Sequence, residues 1–345
     1  MHRSRGLAEA REVVQTIPDA NTVANELDQK LVHLSGFADT EETLVDDKFF
    51  VRENALHLAR RAEMYQWVEK EKSKGENNQK EYTYSYAWVN EPVDSSRFRR
   101  PAGHENPNMP VRGMKVSAKE VQVGAYKLDN DLRDQVDNWT SIEVPEETIK
   151  ENLSEEERDS YVFRNNELFI GAEGAPSPEA PKVGDLRIQF EAVMPTDVSF
   201  VAQLRGETFG EFRTSNGEAI HDLYLGTLSA EDVMQRLETE NTVLAWGLRM
   251  LGLAICVGGF AMCLKPLSAV VSFIPFAESL TGALTFVVAL LLGGMVSLVV
   301  VGISWIAVRP LFGISLLAIA GVAVYLVSRI NRKQKDEIVD ATVMS

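Results

Sequence analysis

Ser279–Val308 runs for 30 residues without a formal charge. As a helix rising about 1.5 Å per residue it reaches roughly 45 Å, against a hydrocarbon core of about 30 Å. The run therefore predicts a membrane span, its excess length taken up by tilt or by ends that project into the interface. Arg309-Pro310 interrupts it, and Leu311–Ser328 supplies a second apolar run of spanning length. A short Arg-Pro break suits a tight helical hairpin, because proline resists continuing a helix. A third run, Asn241–Leu264, carries Arg249, whose long side chain can snorkel to the interface, and Trp246, a residue that favours that depth. The expected spans lie at about 242–264, 281–307 and 311–328. Pro266–Ala277 is apolar but too short to cross and reads as interfacial or re-entrant. Ala254xxxGly258 and Gly293xxxSer297 are small-xxx-small pairs that permit close helix packing.

The rest of the chain is chemically different. Residues 1–240 hold 28 Lys+Arg against 46 Asp+Glu, whereas residues 241–345 hold 7 against 4. A leading domain of net charge −18 repels polyanions, which excludes nucleic acid as a partner. The only cysteines, Cys256 and Cys263, lie in an apolar run, so neither a disulfide-stapled ectodomain nor a cysteine-based zinc module is available. The first 25 residues contain no apolar core of a signal peptide or span. The basic tail Arg329, Arg332, Lys333 and Lys335 predicts a cytoplasmic C-terminus. Three spans then place the acidic domain on the non-cytoplasmic side. Such a domain needs a route across, so the expectation is a further N-terminal helix ahead of it; the alternative is a cytosolic domain.

The domain reads as β-rich. An amphipathic helix is expected around Leu7–Ile17, and strands at Lys30–Gly36, Asn54–Glu69 and Tyr82–Trp88. The last alternates aromatic with small residues, the pattern of a half-buried strand. Glu69–Glu81 would connect the latter two as a hairpin. Residues 90–112, with Pro92, Pro101, Pro107 and Pro110, form a long loop. Further strands are expected at Lys115–Val123, Tyr161–Gly171, Asp185–Met194 and Asp197–Phe212, with Gly206 and Gly210 as kinks or bulges. Tyr126–Val136 reads as a charged helix and Glu143–Glu157 as an exposed acidic segment. Ser229-Ala-Glu-Asp232 should start a helix leading into the membrane, with serine at the cap and carboxylates in the first turn. The expected organisation is an N-terminal amphipathic segment (1–25), a β-rich α+β extramembrane domain (26–228), a three-helix transmembrane bundle (229–328) and a basic-then-acidic tail (329–345).

Three groups of residues are candidates for function. Tyr65, Trp67, Tyr82, Tyr84, Tyr86 and Trp88 concentrate aromatic surface, read as core packing or as a binding face, with Tyr65, Trp67, Tyr84 and Trp88 as the partner-binding candidates. Arg97, Arg99 and Arg100 are a tight basic cluster for an acidic partner or lipid headgroups, or simply a solvated loop. His33 and His57 with Glu63 or Glu69 would supply an acid–base or metal cluster if the strands bring them together. Their spacing matches no metal or hydrolase motif, and no catalytic residue, metal or cofactor is assigned. Asn138-Trp-Thr140 and Asn152-Leu-Ser154 are glycosylation sequons, with meaning only in a eukaryotic lumen.

Several segments, in order, resemble the LUMA, or transmembrane protein 43, family. They are Lys30-Leu-Val-His-Leu-Ser-Gly36, Glu63-Met-Tyr-Gln-Trp-Val-Glu69, the Tyr82–Trp88 strand, Asp94-Ser-Ser-Arg-Phe98, Asn106-Pro-Asn-Met-Pro110, Gly184-Asp-Leu-Arg-Ile188 and Asn241–Gly252. Glu-Met-Tyr-Gln-Trp is the most specific. The resemblance covers roughly residues 20–330. It implies one N-terminal span, a large lumenal or extracytoplasmic domain and three C-terminal spans. The first span has no counterpart in the sequence as written, which fits a bacterial member lacking that helix. Animal members are associated with the endoplasmic reticulum and inner nuclear membrane and with envelope proteins; a bacterial member would sit in the inner membrane. The family defines no catalytic residues. The resulting expectation is an integral, multi-pass membrane scaffold whose domain binds membrane or envelope proteins or forms homo-oligomers. The alternatives are a membrane-anchored enzyme using His33, His57 and Glu63, or a channel or transporter component. The last is disfavoured by the lack of ionisable residues in the final two spans.

Overall fold

The computed structural model describes residues 2–74, 79–271 and 289–300, with residues 287, 303, 314, 315, 318, 319, 321 and 322 singly. They form two compact units, residues 6–235, and residues 1–5 together with 236–345.

Two seven-stranded sheets build the unit of residues 6–235. Six strands set its plan: β1 (Leu31–Asp39), β2 (His57–Lys74), β3 (Gln79–Val89), β4 (Met114–Ser117), β5 (Leu186–Val193) and β6 (Thr196–Arg205). In the first sheet β1 and β6 pair antiparallel, from Leu31 opposite Gln203 to Ala38 opposite Thr196. The other edge of β6 pairs with Thr208–Gly210 and Asp222–Leu225. Thr208 lies beside Lys127, Tyr126–Lys127 pairs with Gln122–Val123, and these return to Ala38 and Asp39 of β1. The ladder thus closes into a ring, with Asp222–Leu225 and Gln15–Thr16 left as short edge strands. Inside, Tyr126 is fully buried, its hydroxyl donating to Thr22 O (3.0 Å) and accepting from Ala24 N (2.8 Å), so burial leaves no polar atom unpaired. Gly124 makes the adjoining turn: its φ is +62°, and a Cβ there would sit 2.3 Å from Ala20 O.

The second sheet is organised by β2. Its first half is central, between β5 (Val193 opposite His57 through Leu186 opposite Met64) and β4 (Ser117 opposite His57 through Met114 opposite Arg60). From Met64 onward its partner is β3, in register to Lys74. Along β5, Leu186, Ile188, Phe190 and Ala192 are buried and Arg187, Gln189 and Glu191 turn outward, the period-two pattern of a half-buried strand. One ion pair is enclosed near this core. Asp46 is fully buried and accepts from Arg60 Nη1 at both oxygens (2.8 and 2.7 Å) and from the Phe49 and Lys48 amides. A buried carboxylate is tolerated because both its oxygens accept hydrogen bonds, each from the Arg60 cation.

Several sequence expectations change in detail. Tyr126–Val136 is not one helix: Tyr126–Lys127 is strand, and the helix is only Asn130–Asp134, capped by Asp129. Lys115–Val123 divides into β4 and Gln122–Val123, which join different sheets. Tyr161–Gly171 is a hairpin, with Asn165 and Asn166 both at positive φ, the turn that matches strand twist. Gly206 is likewise a hairpin turn, not a kink in one strand. Glu143–Glu157 contains two short helices that bury Ile149 and Leu153, so it is not simply exposed. The hairpin between β2 and β3 is also longer than expected, since Glu69–Lys74 and Gln79–Glu81 are paired strand.

The N-terminal helix α1 (His2–Val13) turns Leu7 and Ala10 inward within the larger unit. The long helix α2 (Ala230–Val271) starts at Ser229, whose Oγ accepts the Asp232 amide (3.1 Å) while Asp232 Oδ2 accepts from Ser229. Among the described residues, its Ala230–Cys263 portion is the one helix long and apolar enough to cross a membrane. Leu244, Leu248, Leu251 and Ile255 are exposed along it, an arrangement that lipid favours and water opposes. The helix runs through Pro266 to Val271, so residues 266–271 continue α2, and residues 272–277 of the expected interfacial stretch lie outside the described residues. Of the other expected spans, 281–307 is described continuously only as the helix over 289–300, and most of 311–328 lies outside the described residues, as does the tail. Gly293 of that shorter helix abuts α2: a Cβ there would stand 3.0 Å from Val257 N and 3.1 Å from its Cα. A Cβ at this spacing would crowd the α2 backbone, so glycine suits the position. Gly258 meets nothing within 4 Å.

Removing one member of the buried ion pair strands the other. Arg60→Met is expected to cost about 3–5 kcal/mol, read as a lowered denaturation midpoint of the full chain in detergent; a change under about 1 kcal/mol would show the pair to be dispensable.

Candidate functional site

Beyond Met64 the β2–β3 pair forms a ribbon whose register puts Tyr65 opposite Trp88, Trp67 opposite Tyr86, Glu69 opposite Tyr84 and Glu71 opposite Tyr82. Alternation therefore places all these side chains on one face. They pack as a ladder: Trp88–Tyr65 at 5.3 Å between centroids, Tyr65–Tyr86 at 5.5 Å and Trp67–Tyr86 at 3.9 Å. Tyr86 at the middle remains 49% exposed. At one end Arg187 of β5 lies 4.9 Å from the Trp88 ring and pairs with Glu63 (2.9 Å from Nε). At the other, His104 stacks on Tyr84 (4.0 Å) and meets Trp67 edge-on (4.6 Å).

The loop over 90–112 folds back along the β2 edge that β5 no longer covers. Tyr65 exchanges backbone hydrogen bonds with Asp185 and Gly184. Two residues on, the side-chain amide of Asn106 takes over: Trp67 N donates to its Oδ1 (2.8 Å) and its Nδ2 donates to Trp67 O (3.0 Å). One side chain thus stands in for the next residue of a strand. Buried Gln66 fixes the loop's start, accepting from Val93 N and donating to Glu91 O. Farther out, the Tyr84 hydroxyl donates to Glu69 (2.7 Å) and accepts from Arg100 N, and Glu69 also accepts from Arg99 N. Desolvation, with the Glu69 carboxylate beside it, raises the Tyr84 pKa.

The aromatic candidates Tyr65, Trp67, Tyr84 and Trp88 are thus neighbours on one surface. Arg97, Arg99 and Arg100 lie in the loop beside it, and the charges of Arg99 and Arg100 act on Tyr82 and Tyr84. Their side chains are exposed, Arg97 lies 3.9 Å from Asp94, and the backbone amides of Arg99 and Arg100 bind the ribbon. His33 and His57 do not form a cluster with Glu63. His33 is in the first sheet and His57 in the second. Both His57 nitrogens are occupied, by Ser117 Oγ (2.7 Å) and Arg133 O (3.1 Å). Glu63 stands six residues along the strand, about 20 Å away, committed to Arg187. Arg187, His104 and Asn106 join the site only through the fold; Arg187 and Asn106 stand inside Gly184–Ile188 and Asn106–Pro110, and nothing local in the sequence marks His104. Among the described residues, Asp129, Asp131 and His221 bring possible metal ligands within 4.8 Å. Asp129 already caps a helix there and faces His221 at 3.2 Å, so the group has a structural role without an ion.

The aromatic ladder and its Asn106 and Arg187 contacts lie in Glu63–Glu69, Tyr82–Trp88, Asn106–Pro110 and Gly184–Ile188. The family model for transmembrane protein 43 matches residues 64–310. The chain belongs to the transmembrane protein 43 family. Human transmembrane protein 43 is 32% identical over 334 residues, covering 92% of this chain and 80% of that protein. The Drosophila melanogaster transmembrane protein 43 homolog is 30% identical over 318 residues, covering 87% and 80%. No solved structure matches the chain. The match to the family model opens at Met64, where β2 passes from β5 to β3, and so takes in the whole ribbon as well as α2.

Burial lowers the pKa of both His33 and His57 from the ordinary 6.5. The folded state therefore binds fewer protons than the unfolded one just below that value, and stability is complete above pH 6.5 and lost as pH falls from there toward the folded-state pKa values. The denaturation midpoint should drop between pH 7.5 and 5.5, and by less in His57→Gln; an identical acid response in that variant would contradict the assignment.

Proposed function

We propose that this chain is an integral membrane scaffold that holds partner proteins on the aromatic face of the β2–β3 ribbon. The observation that carries this reading is the ladder itself. Tyr65, Trp67, Tyr84, Tyr86 and Trp88 share one surface, and Tyr86 is half exposed. Rigid aromatic side chains on a braced strand pair lose little entropy when covered, and aromatic residues dominate protein interfaces. The Asn106 clamp and the Glu69–Tyr84–Arg100 hydrogen bonds hold the face in place before any partner arrives.

The membrane part of the proposal has three spans, at about 242–264, 281–307 and 311–328, with the basic tail cytoplasmic and the acidic domain on the opposite side. The apolar length of α2, the Gly293–Val257 contact and the Lys/Arg excess after residue 328 support it. The partners are membrane or envelope proteins, including further copies of the chain, and the site needs no cofactor.

A photo-crosslinking residue at Tyr86 in native membranes should give discrete protein adducts absent when the same group replaces exposed Lys119; matching patterns at the two positions would contradict the reading. For topology, a membrane-impermeant thiol reagent should label Lys119→Cys and Ser345→Cys from opposite sides of the membrane, and labelling from one side would overturn the three-span arrangement.

A further inference from the structure

The two edges of the β2–β3 ribbon are treated differently. The β2 edge is stopped at Trp67 by the Asn106 side-chain amide, and its outer length carries Glu69, Lys70, Glu71 and Lys72. These are the devices by which proteins prevent a strand edge from recruiting another chain. The β3 edge has none of them. Among the described residues β3 pairs only with β2. Tyr82–Val89 contains no charge, no proline and no glycine, and its charged residues Lys80 and Glu81 lie only at the tip end. A bare aromatic edge of this length is a template for strand addition.

What adds to it is indicated by the strand's own pattern. Tyr82, Tyr84, Tyr86 and Trp88 face one way, with Thr83, Ser85 and Ala87 between them. Antiparallel pairing with an identical strand about Ser85 sets Tyr82 opposite Trp88 and Tyr84 opposite Tyr86 on the aromatic face, twice over. On the other face Thr83 meets Ala87 and Ser85 meets its own copy. Lys80 falls opposite the polar Asn90 and diagonal to the Trp88 ring, and no like charges oppose each other. A two-fold axis at Ser85 covers both bare edges in one closed contact, which a one-sided peptide ligand would not do.

We infer that two copies of this chain pair through their β3 strands, antiparallel and centred on Ser85, joining their second sheets into one continuous sheet. The inference rests on the partner-binding role proposed for the ribbon and names the partner as a second copy.

The test uses the full chain in membranes, with Cys256→Ser and Cys263→Ser removing the native thiols and single cysteines introduced by Thr83→Cys, Ser85→Cys or Ala87→Cys. With a short homobifunctional thiol crosslinker, Ser85→Cys should form a homodimer at least ten times more efficiently than Thr83→Cys or Ala87→Cys alone. Co-expressed Thr83→Cys and Ala87→Cys chains should crosslink to each other at least ten times better than either does to itself. Absence of the Ser85 homodimer, or equal yields at all three positions, would overturn the pairing. Adducts from Ser85→Cys to a different protein, without a homodimer, would overturn it while leaving the ribbon's partner-binding role standing. Loss of every adduct, here and from Tyr86, would remove both.

Discussion

The strand β2 is too long to keep one set of neighbours, and the change of partner at Met64 organises the larger unit. Below that point it lies between β4 and β5 and buries Leu58, Ala62 and Met64; above it, β5 has ended and β3 takes the opposite edge. A strand that leaves its sheet would expose both faces and an unsatisfied edge. The chain answers with side chains in place of a strand. Asn106 completes the ladder at Trp67, Gln66 pins the loop that delivers Asn106, and Glu69 and Tyr84 receive the loop amides. The aromatic face is a consequence, since every residue opposite a β2 side chain on that face from Tyr82 to Trp88 is aromatic.

The same strands were partly legible from sequence. The alternation Tyr82–Trp88 reads directly as strand, and the β character of Asn54–Glu69 followed from its apolar spacing. The pairing of Tyr65 with Trp88 did not, because register depends on a hairpin whose polar stretch looks like loop and is mostly strand. Asn165-Asn166 is a turn signal inside a β-prone run, and Gly206 in an apolar run permits a kink, a bulge or a turn alike. The histidine pair failed for a different reason. His33 and His57 occupy separate sheets, and sequence proximity to β-prone residues carries no information on which sheet a strand will join.

The site was legible in its aromatic part and not in its polar part. Tyr65, Trp67, Tyr84 and Trp88 declare themselves by composition, whereas Asn106, His104 and Arg187 arrive from a proline-rich loop and a distant strand. The sequence marks the three arginines as charge, and the fold adds a second contribution, the backbone amides of Arg99 and Arg100 bound to Glu69 and Tyr84. In the membrane unit, by contrast, length and hydropathy identified α2 in advance, because a bilayer imposes a dimension that no partner residue need supply. Pro266 did not end that helix, since proline costs a hydrogen bond but does not forbid continuation.

If other protein covers the braced ribbon beyond Met64, as proposed, its amides must be protected in the membrane. Hydrogen exchange of the full chain reads this at the level of single segments. Amides of Tyr82–Val89 should exchange at least tenfold more slowly in native membranes than in the dispersed monomer, while those of β6 are unchanged. Equal, rapid exchange of Tyr82–Val89 in both preparations would contradict the proposal.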